Sequence, residues 1–306
     1  MISLITCSRD QVSLAKLQKN VADTIGVDYE WVVMDNRDGR YGICEAYNLG
    51  ARKASFSILC FIHEDILFET VGWGHRLLAH FENDQVGLVG VAGSATKSLV
   101  PSSWASFIHP SEMCLVQHFK SVVHSPERIV RTSSADDPSV LKPVVCLDGV
   151  FLSTRRIVFE KFRFDEENLP AFHGYDIDYS LQVGQLYGVY VCFDIMIHHF
   201  SEGSFNREWL DACESISAKW AGHLPHSVLA LDHDKLVHQH WTAMRVFLGK
   251  MTTLGYSLPE MLGGLFRFSF NRYFHLRHFL HFLRLVFLVK IAPSDKILYK
   301  LGIRPA

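Results

Sequence analysis

The chain has 306 residues, of which 48% are hydrophobic and 20% are charged. This is the composition of a globular protein, and the length suits one large domain with an appendage. The formal net charge of -2 excludes proteins that bind nucleic acid through a strongly basic overall charge, and no apolar run is long enough to predict a membrane-spanning helix.

The cysteines and the first residues of the sequence bear on the compartment. The seven cysteines form no CxxC pair, and several lie inside apolar runs, which predicts buried free thiols in a reducing compartment. The opening MISLITCSRD lacks the basic start and the small-residue cleavage site of a secretory signal. We therefore expect a cytoplasmic protein, with the inner face of a membrane as a candidate location.

The first hundred residues alternate between strand-like and helix-like segments. Apolar runs at 2–6, 29–35 and 56–62 predict strands, and helical spacing at 11–25 and 43–55 predicts two helices. The run VGLVGVAG predicts a later strand. This order predicts an α/β fold with a mostly parallel central sheet and helices on both faces. Ligands of such sheets bind where the strands end, so we consider those residues first.

Polar residues follow each of the first three predicted strands: Ser8, Arg9 and Asp10, then Asp35 and Asn36, then His63, Glu64 and Asp65. His63 and Asp65 are two residues apart, so they project to the same side of an extended chain and Glu64 points the other way. An imidazole and a carboxylate on one side can ligate a divalent ion. The alternative is an ordinary polar strand end.

The second half of the predicted domain opens with a stretch that has no clean period. Residues 97–143 are rich in Ser, Pro and His, which is typical of a long binding loop or lid. A strand, a turn at Asp148 and Gly149, and a second strand follow in PVVCLDGVFLSTRR.

A helix is predicted from about Asp176, and a later strand ends in His198 and His199. Asp176 is either a helix cap or a general base. One histidine of the pair has to face the site, where a neutral imidazole can ligate a metal, and a structural histidine is the alternative.

In this order the segments resemble the nucleotide-sugar-binding core of family 2-like glycosyltransferases, which have the GT-A fold. The run AYNLGARKASFSILCFIHEDILF carries Asn48, Gly50 and Ala54 ahead of His63 and Asp65. The family usually has Asp-x-Asp where this chain has His-x-Asp, and a branch of the superfamily is similar in using His there. Tyr175 stands where the Glu-Asp catalytic motif usually has Glu.

The resemblance implies a role for each segment. It implies a divalent metal, Mn²⁺ or Mg²⁺, a UDP- or GDP-linked sugar donor, a glycan or lipid-linked acceptor, and inverting transfer in polysaccharide biosynthesis. The implied residues are Ser8, Arg9, Asp35, Asn36, Asn48, His63 and Glu64 for the nucleotide-sugar, Asp148, Gly149 and Asp178 for the acceptor, Asp65, His63, His198 and His199 for the metal, and Asp176 as catalytic base. The loop at 97–143 is expected to set acceptor specificity.

The resemblance covers residues 1–205, which we predict to be the catalytic domain, with a helical region at 206–306. From residue 265 the chain carries eight Lys or Arg residues and one acidic residue, Asp295. Helical spacing predicts one apolar face and one basic face; the apolar face comprises Leu276, Phe279, Leu280, Leu283 and Phe287, and the basic face Arg277, His278, His281 and Arg284. Such a helix is typical of an anionic membrane surface, and packing on its own domain or in a homo-oligomer is the alternative.

Two other functions compete with the transferase. A non-catalytic nucleotide- or carbohydrate-binding protein of the same fold is favoured by the departures at His63 and Tyr175. A nucleotidyltransferase would also use carboxylates and a metal at strand ends. That chemistry usually needs a Gly-rich or Lys/Arg-rich phosphate loop after the first strand, and SRDQVSL is a poor match to one.

Overall fold

The computed structural model describes residues 1–105, 108–119, 127–132, 140–201 and 203–303. The chain divides into two compact units: Met1–Ala95 with Pro110–Ser204, and Thr96–His109 with Phe205–Ala306. Residues 96–109, which lie inside the predicted catalytic domain, are part of the second unit. The assignment of catalysis to 1–205 stays a prediction.

The elements in chain order are β1 (Ile2–Ser8), α1 (Gln11–Thr24), β2 (Tyr29–Asp35), α2 (Ile43–Lys53), β3 (Ile58–Ile62), β4 (Ile66–Phe68), α3 (Trp73–His80), β5 (Val86–Gly90), β6 (Ala92–Ser94), β7 (Thr96–Lys97), β8 (Glu112–His118), β9 (Glu127–Thr132), β10 (Leu141–Pro143), β11 (Cys146–Leu147), β12 (Phe151–Arg155), α4 (Arg156–Lys161), α5 (Tyr175–Val183), β13 (Gly188–Cys192), β14 (Ile197–His199), α6 (Arg207–Lys219), β15 (His226–Ser227), α7 (His233–Thr253), α8 (Leu258–Ser269), α9 (Leu276–Ile291) and α10 (Asp295–Lys300).

The larger sheet of the first unit has seven strands in the order β10-β13-β5-β12-β3-β1-β2. β2, β1, β3, β5 and β13 run in one direction, while β12 and β10 run against them. Strands β3 and β5 are buried along their whole length, which is why their sequences are continuous apolar runs. The predicted α/β class with a mostly parallel central sheet is confirmed.

A second sheet joins β11, β6, β8, β14 and β4 in that order, with β9 paired to β8. β14 lies between β4, to which it is antiparallel, and β8, to which it is parallel. His199 is thereby opposite Ile66, the residue that follows Asp65. This pairing brings the end of the chain's third strand and the late histidine pair to one place.

The helices of the first unit begin and end where local chemistry favours it. Asp10 caps α1 by accepting hydrogen bonds from the backbone N–H groups of Val12 and Ser13. α2 packs against β1 and β2, and Gly50 allows this contact because a Cβ there would lie 2.5 Å from a methyl group of Ile5.

The second unit is mainly helical, with a short pairing of β7 and β15. Helices α7, α8 and α9 enclose an apolar core that includes Trp241, Phe247 and Val286. Ser257 and Glu260 form a reciprocal capping box at the start of α8. Among the described residues, no helix combines the length and the apolarity that crossing a bilayer requires.

The structure corrects two expectations. The stretch 97–143 is not one long loop, because β8 and β9 pair within it and join the second sheet; residues 106–107, 120–126 and 133–139 lie outside the described part, so its role in acceptor specificity stays a prediction. Helix α9 has two apolar sides rather than the predicted one: the predicted face is mostly exposed at Leu276, Leu280 and Phe287, and a second side packs in the core of the second unit. Arg304 lies outside the described residues.

Candidate active site

Asp65 lies between two imidazole rings in the first unit. Its Oδ1 is 3.9 Å from Nδ1 of His63 and 3.9 Å from Nε2 of His199. His63 and Asp65 follow β3 directly, and the antiparallel pairing of β14 with β4 supplies His199. These three side chains form what we call the His-Asp-His group.

The His-Asp-His group fits a divalent metal. One potential ligand atom from each residue lies within 4.8 Å of the others. Oδ1 of Asp65 is buried and has no hydrogen-bond partner among the described residues, and such an atom is costly unless something compensates it. Two imidazole nitrogens and a carboxylate oxygen are suitable ligands for first-row divalent cations.

Neighbouring side chains hold both rings of the group. Nδ1 of His199 is 3.0 Å from Oε1 of Gln117 on β8, and the Gln117 amide in turn donates to the carbonyl of Ser201. Burial lowers the pKa of His199 below its ordinary value, which favours the neutral imidazole that binds metals. Partners of this kind fix ring orientation in metal sites.

Tyr175, the first residue of α5, determines the tautomer of His63. Its hydroxyl donates to the carbonyl of Gly149 at 3.0 Å and lies 2.7 Å from Nε2 of His63. A tyrosine hydroxyl has one proton, so if that proton goes to Gly149, Nε2 of His63 must carry the donor N–H. The lone pair of His63 is then on Nδ1, the nitrogen that faces Asp65.

The structure does not bring His198 into this group. Its Nδ1 is 2.9 Å from Nε2 of His118, and its Nε2 is 3.1 Å from Oε2 of Glu69. Successive residues of a strand point to opposite faces, so His198 and His199 cannot both face Asp65. The metal role predicted for His198 stays a prediction without geometric support.

Glu64 points away from His63 and Asp65, as the extended chain predicts, and binds the loop after β1. Its carboxylate accepts from the Ser8 hydroxyl at 2.6 Å and from the backbone N–H groups of Arg9 and Asp10 at 3.0 Å each. Ser8 is fully buried. Hydrogen bonds therefore join three residues that were predicted to bind the nucleotide-sugar: Glu64, Ser8 and Arg9.

Asp35 ends β2 beside an open cleft of about 660 Å³, and Asn36 follows it in the chain. The cleft is lined by Val33, Met34, Asp35, Arg37, Asp38, Arg40, Tyr41 and Lys53. The Asp35 carboxylate pairs with Arg37 at 2.7 Å, and this guanidinium holds the pKa of Asp35 below its ordinary value. Asn36 is buried and its amide bonds the backbone of Tyr41 in both directions. Asp35 is thus exposed at the cleft, while Asn36 shapes the loop, and the nucleotide-binding roles of both stay predictions.

Asn48 and Asp178 are buried and bonded within the fold. The Asn48 amide donates to the carbonyl of Phe164 at 2.9 Å and accepts from its N–H at 3.2 Å. The Asp178 carboxylate accepts from Gln182 one helical turn later at 2.7 Å. The structure does not join either residue to the His-Asp-His group, and their binding roles stay predictions.

Asp176 lies in the first turn of α5, next to the turn that contains Asp148 and Gly149. Its carboxylate accepts from the N–H of Gly149 at 3.1 Å and from its neighbour Ile177 at 2.9 Å. Burial, and secondly the negative charge of Asp148, raises the pKa of Asp176 to about 7. A carboxyl group tuned to this range can exchange a proton near neutral pH.

The network from His63 through Tyr175 and Gly149 to Asp176 connects the His-Asp-His group with this acid. Sequence reasoning noted Tyr175 only as a departure from a motif and did not find Gln117. The one signal available for Tyr175 was its position directly before Asp176. Nothing local in the sequence marks Gln117.

Two solved structures illustrate the similarity of the fold. S. aureus TarS 1–349 in complex with UDP is 12% identical, covers 98% of this chain and 90% of that chain, and has a TM-score of 0.50. GalNAc-T7 with UDP, GalNAc and Mn²⁺ is 11% identical over 97% of this chain and 57% of that chain, with a TM-score of 0.46. The chain therefore spans little more than half of that second protein.

A sequence search found no match among curated proteins. The family model described as the glycosyltransferase-like family matches residues 3–209, which is more than half of the 306 residues. The resemblance drawn from the strand-end residues is thus confirmed. The chain belongs to the glycosyltransferase-like family.

Proposed function

We propose that the protein transfers a sugar from a UDP- or GDP-linked donor to a hydroxyl of a glycan or lipid-linked acceptor, with a divalent metal and with inversion. The observation that carries the proposal is one network: the His-Asp-His group is linked through Tyr175 to Asp176, whose pKa is near 7. The two halves of this network offer the two kinds of group that such a transfer needs, a cation site and a base.

In this mechanism the acceptor hydroxyl gives its proton to Asp176 as its oxygen attacks the anomeric carbon. The bond from that carbon to the diphosphate breaks, and its electron pair leaves with the diphosphate. A metal held by Asp65, His63 and His199 would supply positive charge to the leaving group. Attack opposite to the leaving group inverts the anomeric configuration.

The surroundings of Asp176 suit a base. Its pKa of about 7 leaves it ionised above neutral pH yet basic enough to accept a proton. The N–H of Gly149 orients the carboxylate, and burial, followed by the charge of Asp148, keeps its proton affinity high. Asp148 and Gly149 are therefore proposed to contact the acceptor.

Ser8, Arg9 and Asp35 are proposed to hold the nucleoside, since β1 and β2 end side by side in the parallel pairing of Ser8 with Asp35. Glu64 occupies the amide groups of Arg9 and Asp10, which a phosphate loop would need free. This occupation favours a glycosyltransferase over a nucleotidyltransferase. We also propose that the enzyme acts on the cytoplasmic side, near a membrane that presents the acceptor, in polysaccharide biosynthesis.

The first experiment is calorimetric titration with UDP, GDP and their sugar nucleotides, each with and without Mn²⁺. We expect metal-dependent binding of one nucleotide, at least tenfold weaker in Asp65→Ala, while Asp23→Ala on the exposed side of α1 binds normally. Absence of binding under every condition would overturn the proposal.

A transfer assay then separates an enzyme from a non-catalytic binding protein. Asp176→Asn should bind the donor with near-normal affinity and transfer no sugar. Wild-type protein that binds the nucleotide but neither transfers nor hydrolyses its sugar would favour the binding protein. Normal transfer by Asp176→Asn would show that another group is the base.

A further inference from the structure

Helix α9 is apolar on two sides, and the described residues cover only one of them. Phe282, Val286 and Val289 are buried in the core of the second unit. Another set of apolar side chains on α9 is exposed: Leu276 by 59%, Leu280 by 52%, Phe287 by 40% and Ile291 by 75%. At 3.6 residues per turn these four fall within about 60° of one another around the helix axis, so they form one stripe.

Aromatic rings extend this stripe beyond α9. Phe266, Phe270 and Phe274, from the end of α8 and the turn that follows, are each at least 40% exposed. All three rings lie within 6 Å of Phe279, whose side chain is buried between them and the core. We call these three rings and the four exposed residues of α9 the apolar surface.

Positive charge borders the apolar surface. Arg277 and Arg284 lie on α9 next to the stripe, and Arg272 lies in the preceding turn. All three are exposed, and none of them forms an ion pair with a described residue. Between residues 265 and 303 the sequence contains one acidic residue, Asp295. The apolar surface is thus bordered by positively charged side chains.

We propose that this surface binds the headgroup region of an anionic phospholipid bilayer. Leu, Ile and Phe side chains gain free energy when they leave water for the acyl boundary. Arginines beside them keep their charge at the level of the lipid phosphates. The inference deepens the membrane location proposed above by naming the contact surface, and it does not depend on catalysis.

The charge pattern favours lipid over a second copy of the chain. A twofold interface is built from the same patch of both subunits, so it would gather the arginines of both copies at one interface. The apolar surface and the arginines beside it include no acidic residue, and the sequence from 265 to 303 contains only Asp295. An anionic bilayer provides phosphates along the whole margin.

The test is co-sedimentation of the full chain with vesicles of phosphatidylglycerol and phosphatidylcholine, compared with phosphatidylcholine alone. We expect binding to the anionic vesicles that weakens as salt increases. Leu280→Asp should lower the partition coefficient about tenfold or more, as loss of a buried leucine implies. Leu186→Asp in the first unit is the matched control, since Leu186 is 53% exposed, and it should bind like wild type.

A second pair of variants tests the charge. Arg277→Glu with Arg284→Glu should abolish binding to anionic vesicles at moderate salt. Lys16→Glu with Lys19→Glu on α1 makes the same change in net charge elsewhere and should have little effect. Thermal unfolding of each variant shows whether the fold is retained.

Three results would overturn the inference. These are equal binding to both vesicle types, binding that Leu280→Asp leaves unchanged, and a concentration-dependent dimer that this substitution abolishes without any vesicle binding. The last result would assign the apolar surface to a second copy of the chain. Since no donor or acceptor enters these assays, their failure would leave the proposed transferase activity untouched.

Discussion

The ionised carboxyl group that the proposed function requires of Asp176 should lower the stability of the folded protein. Burial and the charge of Asp148 raise its pKa from 3.8 to about 7, so the folded state prefers the neutral acid. Its stabilising contribution is complete below pH 3.8, the unfolded value, and is lost as the pH rises through about 7. Asp176→Asn removes the titration and should stabilise the fold at high pH.

The size of the pKa shift sets how much the free energy of unfolding should rise in Asp176→Asn. A rise of roughly 3 pH units at about 1.4 kcal/mol per unit gives at most ~4 kcal/mol. Solvent reaches part of the residue and reduces this value. The asparagine oxygen can also replace only one of the two carboxylate oxygens that accept from Gly149 and Ile177, at a cost of ~1 kcal/mol. We therefore expect a net gain of ~2 kcal/mol at pH 8 and almost none at pH 5.

Urea unfolding of wild type and Asp176→Asn at pH 5 and pH 8 measures this difference. Asp23→Asn, an exposed carboxylate on α1, is the control and should show no such pH-dependent gain. The same Asp176→Asn protein should have lost sugar transfer. A free-energy difference that does not change with pH, or that becomes more unfavourable to the variant as the pH rises, would refute the assignment of a raised pKa and weaken the case for a base.

Three further predictions concern the same site. The transfer rate of the wild type should increase with pH through about 7 and then level off, because Asp176 must be ionised to act; a rate that falls over this range contradicts the base. Glu64→Gln should weaken nucleotide binding about tenfold in calorimetry, because it loosens the loop at Ser8. The hydrogen bonds that the charged Glu64 carboxylate accepts there contribute ~1–3 kcal/mol. Gly149→Ala should destabilise the fold by ~1–3 kcal/mol in urea unfolding, since its Cβ would lie 2.0 Å from the Tyr175 hydroxyl.

The parts of the fold that could be predicted are those with local signals. The strands β1, β2 and β3 are apolar runs that end in polar residues. The helices between them have helical spacing, and α1 also has a capping aspartate. Those same strand ends supplied the candidates His63 and Asp65, which the structure brings together with His199. Local pattern was sufficient there because β1 and β3 are buried along almost their whole length.

The remaining features depend on contacts between residues far apart in the sequence. Ser8 and Glu64 are 56 positions apart, and Gln117 and His199 are 82 apart, so no local pattern reveals either pair. Strand β8 is stabilised by its neighbours in the second sheet rather than by its own periodicity. Spacing indicated only one of the two apolar sides of α9, because apolar residues surround most of its circumference and spacing alone cannot say which side is covered.

The pairing of β14 has a consequence for how this site can change. Two adjacent histidines occupy the strand, and only the register with β4 and β8 decides which one meets Asp65. A shift of one residue would exchange His198 and His199 between the Asp65 side and the Glu69 side without altering the amino-acid composition. The identity of the third residue of the His-Asp-His group is therefore held by backbone hydrogen bonds. We expect a single-residue insertion or deletion in the turn at 193–196 to impair the site as severely as substituting His199 itself.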